Sequence, residues 1–299
     1  GLRKGAVYKR MNGDTALTAH ELVKLARDFR FSLDTFTENP GFISFLHPFM
    51  KQRDSFTFLD GFLSYLQTTE NDEESRLTYL ANELPVFYYL SYEYIYNFLL
   101  AIWNHLHWSD SRLAISYNNK LDAPLQQMSK DINQYYNTQP VTEIWNAKML
   151  SNLYQQVLFS ITIKAFTEAE YVTYLLQDIE RLIRDLRKIT HSGERTSHNA
   201  VVPSQIYLNE FGNYLNLVLF SSERTQAVFV GYDMPHFIVT HKPDFYQFST
   251  GWIEKIKRHS VLISEDGYQY RERFFLRLEE EFKRFKVEAE RMVEMYYGG

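Results

Sequence analysis

Apolar residues recur at helical spacing over several long stretches of the chain and alternate with polar ones over a few short ones. Leu22, Leu25, Ala26 and Phe29 share one helical face. Thr18-Ala19-His20-Glu21 precedes them as a capping box, the Thr hydroxyl accepting a first-turn amide proton while the Glu reaches back. Helical periodicity returns over 54–67, near 123–136, 142–167 and 168–189, over PDFYQFSTGWIEKIKRHS (243–260), and in the tail from 265. LTYLANE (77–83) reads as a strand or as the first turns of a helix. FISFLHPF (42–49) reads as a strand that Pro48 confines to an edge or an end. SQIYLNEF, YLNLVLFSS, TQAVFVGY and HFIVTH follow one another as short strands, and HSGERTSHNA (191–200) is the clearest loop.

The most apolar run, LPVFYYLSYEYIYNFLLAIWNHLHW (84–108), is long enough to span a bilayer. It carries Glu93, Asn97, Asn104, His105 and His107, and its tyrosines run throughout rather than at the ends. The expectation is a buried helix beginning near Pro85.

Composition narrows the class. An apolar share of 45% excludes disorder, and the 16% aromatic share predicts a ring-rich interior. With Cys 0, there is no disulfide framework, thiolate metal site or cysteine nucleophile. The chain shows no signal peptide and begins without Met, which reads as a fragment or a processed form.

Charge is placed unevenly. Residues 1–30 carry seven Lys or Arg against three Asp or Glu, whereas the whole chain sums to −5. A positive head suits a polyanion partner; chance clustering on a solvated face accounts for the same charge. Over 3–11 the candidate groove face is Arg3, Lys4, Gly5, Tyr8 and Lys9, with Ala6 and Val7 turned to a core. Gly5 lets the backbone approach, Lys4 and Lys9 reach guanine acceptors or phosphates, and Asn12-Gly13 supplies a turn.

These residues carry a resemblance. Gly1-Leu2, Ala6-Val7, Asn12-Gly13, Leu22, Leu25-Ala26, Phe29 and Phe31-Ser32-Leu33-Asp34 resemble, without a gap, the second half of a phage-repressor-type (XRE-type) helix-turn-helix domain. The resemblance implies that Lys4, Gly5 and Tyr8 face bases and that Arg3, Lys9, Asn12 and Thr15 sit by phosphates. It also implies two further helices ahead of Gly1. Arg3 departs from the family's short polar capping residue, and Leu17 replaces a frequent proline. Less specifically, TEIW (142–145) ahead of a Gln-rich helix and ISEDGYQYRERFF (263–275) resemble the region that follows the helix-turn-helix in some large bacterial regulators. No chemistry is carried over from that likeness.

Phe275, Leu278, Phe282, Phe285, Ala289, Met292 and Tyr296 alternate spacings of three and four, a heptad seam. Two readings stay open: a coiled-coil homodimer contact, or an amphipathic helix packed on its own domain. The rings of 87–108 and the strands of 204–241 either line an effector pocket or form plain core. Catalytic motifs are absent: no Gly-rich phosphate loop, nucleophile elbow or His-Glu-x-x-His occurs. His105 and His107, two apart on a helix, point to different faces and do not share a metal. His191, Glu194 and His198 suit a solvated loop, and Asp233, His236 and His241 are candidates to converge near strand ends.

The expected fold is α+β and mainly helical. A partial helix-turn-helix head occupies 1–36, a mainly helical body 37–190, and an α+β region 191–299, with a small antiparallel sheet and a long C-terminal helix. The expected function is a cytoplasmic bacterial transcriptional regulator, present as a fragment. It binds double-stranded DNA through the intact head, while its body senses a small-molecule or protein effector or mediates association. No enzyme activity, cofactor, metal or membrane partner is expected. The rivals are an interaction scaffold without DNA binding and, third, an enzyme assembled from distant residues.

Overall fold

The chain divides into two units, Gly1–Phe45 and Leu46–Gly299, in a computed structural model that describes residues 4–29, 33, 42–48, 50–67, 75–116, 123–197, 200–212, 214–265 and 267–298. The first unit holds two short helices, α1 (Lys4–Met11) and α2 (Ala19–Asp28). The second is organised on one mixed sheet. Its strands are β1 (Arg76–Ala81), β2 (Val141–Asn146), β3 (Glu194–Ser197), β4 (Ala200–Asn209), β5 (Leu217–Ser221), β6 (Gln226–Asp233), β7 (His236–Thr240) and β8 (Val261–Leu262). They lie in the order β3-β4-β2-β1-β5-β6-β7, with β8 against β4. β4, β2 and β1 are mutually parallel, and the other pairings are antiparallel.

Parallel neighbours need long crossovers, and helices supply them. Between β1 and β2 run α4 (Val86–Tyr89), α5 (Glu93–Trp103), a π-helical turn (Asn104–Trp108) and α6 (Ala123–Thr138). Between β2 and β4 run α7 (Ser151–Thr162) and α8 (Glu170–Ser192). Ahead of the sheet lies α3 (Ser55–Gln67); α9 (Pro243–Arg258) joins β7 to β8, and α10 (Tyr268–Tyr297) follows β8.

Side chains alternate across the sheet, so each strand serves two cores. Leu80, Ile144, Leu217, Leu219 and Val228 pack with Ile253 and Ile256 of α9 on one face. Tyr79, Ala81, Val141, Trp145, Ile206 and Leu208 join the large helical core on the other. The result is three layers, which suits a sheet whose parallel centre must be covered on both sides.

The α+β class stands, and the sheet is larger than the small antiparallel one expected. Residues 142–146 were expected to open a helix; with Val141 they form the central β2, whose run is buried on both faces and so lacks the alternation that marks a strand. Strands from 37–190 and from 191–299 therefore share one sheet, which ties those two stretches into a single unit. Of the expected loop at 191–200, the described residues are instead the end of α8, then β3 and the first residue of β4. Gly193 makes that change of direction at φ 67, where a Cβ would lie 2.4 Å from Glu265 Cγ. In 42–49, Leu46 makes a single bridge to Val239 rather than a strand, and Phe49 lies outside the described residues. The run 84–108 is not one helix, because it breaks between α4 and α5. No helix among the described residues is long and apolar enough to cross a membrane.

The tail seam is a correction to the dimer reading. Phe275, Leu278, Phe282, Phe285 and Ala289 are buried in the unit's own core, and Met292 and Tyr296 pack against its edge. The Tyr154 ring of α7 stacks on Phe285 at 4.3 Å. Arg187 of α8 bonds Glu272 and, at 2.7 Å, Glu279 Oε1. A heptad stripe records only that one helical face is apolar, and here α7 and α8 cover it.

Candidate functional site

In the head, α1 buries none of its residues. Lys4, Gly5, Tyr8, Lys9, Asn12 and Thr15 are all exposed, and Arg3 lies outside the described residues. Gly13 takes the left-handed conformation at φ 79, which turns the chain after α1. The capping box at Thr18 and Glu21 is present: the Glu21 N–H donates to Thr18 Oγ1 at 3.3 Å and the Thr18 N–H to Glu21 Oε2 at 2.9 Å.

The brace between the two helices is polar, not the apolar stripe expected. Val7 is 40% exposed and Phe29 is 74% exposed, so neither closes a core. Two helices of eight and ten residues bury too little apolar surface for one. Instead the Arg10 guanidinium grips Glu21 with two contacts, Nε to Oε2 at 3.1 Å and Nη2 to Oε1 at 2.9 Å. The Thr18 backbone N–H, and then Arg10, hold the Glu21 carboxyl below the usual carboxylate range. Thr18→Ala is expected to cost about 1 kcal/mol locally. Amide exchange in the first turn of α2 would then rise roughly fivefold, and an unchanged rate would show that the cap contributes nothing.

In the body, α3, the ring-rich helices and the sheet enclose a cavity of about 250 Å³. For scale, an engineered apolar cavity of about 150 Å³ takes up benzene. Phe62, Phe87, Trp103, Val218 and Phe229 give it apolar walls. The ring-rich helices and the strands thus meet at one cavity rather than offering two. At the carboxyl end of β1 the wall turns polar, with Asn82, Glu83 and Asn216. The Asn216 side-chain Oδ1 accepts the Asn82 N–H at 2.9 Å and the Glu83 N–H at 3.2 Å. Burial raises the Glu83 carboxyl above its ordinary pKa, while a hydrogen bond from Asn152 opposes the shift. An apolar chamber with a few polar groups at one end suits a small ligand with one polar terminus.

His236 lines the same cavity. Of the candidates Asp233, His236 and His241, the structure brings the first two together with His107 and leaves out His241. His241 is exposed, with Nδ1 3.1 Å from the Gln226 carbonyl. One ligand atom from each of His107, Asp233 and His236 lies within 4.8 Å of the others. His107 comes from the π-helical turn, whose extra residue per turn re-aims side chains, and such turns concentrate at functional sites. Asp233 and His236 face each other across the β6–β7 hairpin. Burial first, then His107 and His47, push the His236 imidazole down to about 4, so it is neutral at pH 7. His105 turns away, with Nδ1 2.8 Å from the Ser111 carbonyl, as the two-residue spacing predicted.

Of the loop candidates, His191 Nδ1 meets Arg271 at 3.3 Å, Glu194 is exposed, and His198 lies outside the described residues. The His107 partnership was illegible because 127 positions separate it from the carbonyl that fixes its ring. No protein-family model and no curated protein matches the chain.

Proposed function

We propose that the chain is a DNA-binding transcriptional regulator of the bacterial cytoplasm, whose larger unit responds to a small ligand held in its cavity. One observation carries the reading: α1 buries none of its residues and presents Lys4, Tyr8 and Lys9 to solvent, while Arg10 ties it to α2. A helix that enters a major groove needs this division between a free cationic face and a braced one. The family likeness of residues 1–36 agrees with it. The cavity gives the larger unit a place to receive a signal. No dimer through the tail is part of the proposal, because that seam is already covered.

The test selects binders from a random duplex library, using the chain preceded by the two helices that the family pattern implies. Binding of the enriched duplex should fall steeply with salt. Lys4→Ala and Tyr8→Ala should lose about 1–3 kcal/mol on the enriched duplex and little on scrambled DNA. Lys9→Ala should weaken both equally and reduce the salt slope by about one. Equal losses on both duplexes for all three substitutions would sink base readout. Failure to enrich any duplex, with partner capture surviving deletion of residues 1–36, would favour the scaffold reading.

A further inference from the structure

We propose that His107, Asp233 and His236 bind one divalent transition-metal ion of the borderline class, zinc being the type, at the wall of the cavity. The inference is independent of DNA binding. Two imidazoles and one carboxylate form a donor set that suits zinc and its neighbours rather than magnesium or calcium.

Geometry carries the argument. His107 Nε2 lies 3.1 Å from the Met234 carbonyl oxygen, and a carbonyl only accepts, so Nε2 donates. In the neutral ring Nδ1 then presents a lone pair, and it faces Asp233 Oδ2 at 3.7 Å. A lone pair and a carboxylate so placed receive a cation between them, a proton on Nδ1 or a metal ion, and the metal titration below separates the two. Ligand atoms around a tetrahedral zinc with bonds of about 2.1 Å stand roughly 3.4 Å apart. The His107–Asp233 pair at 3.7 Å is already close to that spacing, and the three groups together lie within 4.8 Å. A ligating histidine whose other nitrogen donates to a backbone carbonyl is the usual supporting arrangement at metal centres, because it fixes ring and tautomer together.

The surroundings point the same way. His236 meets His107 ring to ring at 4.5 Å. His47 flanks His236 at 5.6 Å, its Nε2 engaged by the Tyr232 hydroxyl at 2.5 Å. Its Nδ1 is buried without a hydrogen-bond partner. The His107 side chain is 11% exposed and that of Asp233 58%, so an ion enters from solvent past the carboxylate. Three protein ligands leave a fourth position for water or a cavity ligand, the pattern of open rather than structural sites.

The experiment uses the full chain, freed of any affinity tag and stripped with a chelator, titrated with Co2+ and then Zn2+. One Co2+ per chain is expected, with the intense visible bands of a four- or five-coordinate ion, displaced by one Zn2+. His236→Ala and His107→Gln should each weaken Co2+ binding more than about 100-fold. His107→Gln keeps a donor for the Met234 carbonyl while removing the ligand nitrogen. His241→Ala, on the neighbouring strand end, should bind as the parent does. No stoichiometric uptake by the folded parent would overturn the site. So would unchanged affinity in both ligand variants, or equal weakening by His241→Ala.

Discussion

Glu143→Ala is expected to destabilise the fold by about 3–5 kcal/mol. Glu143 is 0% exposed, in the middle of β2. Its Oε1 accepts from the Tyr88 and Tyr136 hydroxyls at 2.8 Å each, and its Oε2 from the Trp145 indole N–H at 2.6 Å. Arg195 stands 4.0 Å away, itself 1% exposed, with its guanidinium 4.4 Å over the Tyr136 ring. Removing the carboxylate leaves three buried donors and one buried cation without their counterpart. Burial, reinforced by Glu143, keeps both tyrosine hydroxyls protonated far above their ordinary range, so they remain donors at any working pH.

Companion variants separate the pair from the network. Arg195→Met removes the cation while leaving the carboxylate its three donors, so its loss should be smaller. The double change Glu143→Leu with Arg195→Met should recover part of the Glu143→Ala loss. Urea midpoints for the three proteins decide the matter. A loss in Arg195→Met as large as in Glu143→Ala would mean that the ion pair, not the hydrogen-bonded hub, dominates.

Phe275→Ala should also cost about 3–5 kcal/mol, by leaving a cavity that the close-packed interior only partly refills. Phe275 is 0% exposed, its ring 5.0 Å from Phe274 and capped by the Arg187 guanidinium at 5.7 Å. The informative measurement is the dependence on protein concentration. A seam filled within one chain gives an unfolding midpoint that does not move with concentration, whereas a two-chain seam gives one that does. Leu276→Ala, on the adjacent exposed face, should change stability by less than about 0.5 kcal/mol. A Phe275→Ala midpoint that moves with concentration would restore the coiled-coil reading.

Local features were legible wherever one segment contains both the signal and its partner. The capping box needs only Thr18 and Glu21, three positions apart, and it forms as read. The four consecutive strands beyond residue 200 were legible because they are short β-prone runs with turn residues between them. The tail helix was legible from its own periodicity, although its partner was not. An apolar face is written in one segment, but what covers it is set by segments far away.

Tertiary structure decided the rest. A strand buried on both faces loses its period, which hid β2 inside a helical stretch and with it the true extent of the sheet. Parallel pairing joins residues 60 or more positions apart, as Leu77 with Val141 does, and no local pattern reports it. The cluster of His107, Asp233 and His236 exists because a π-helical turn and a hairpin tip meet, each at the end of its own element. The sequence by itself determined the caps, most of the helices, the cationic head and the apolar faces, because those depend on covalent neighbours. Pairing, coverage and convergent chemistry depend on which distant surfaces exclude water together, and only the folded chain decides that.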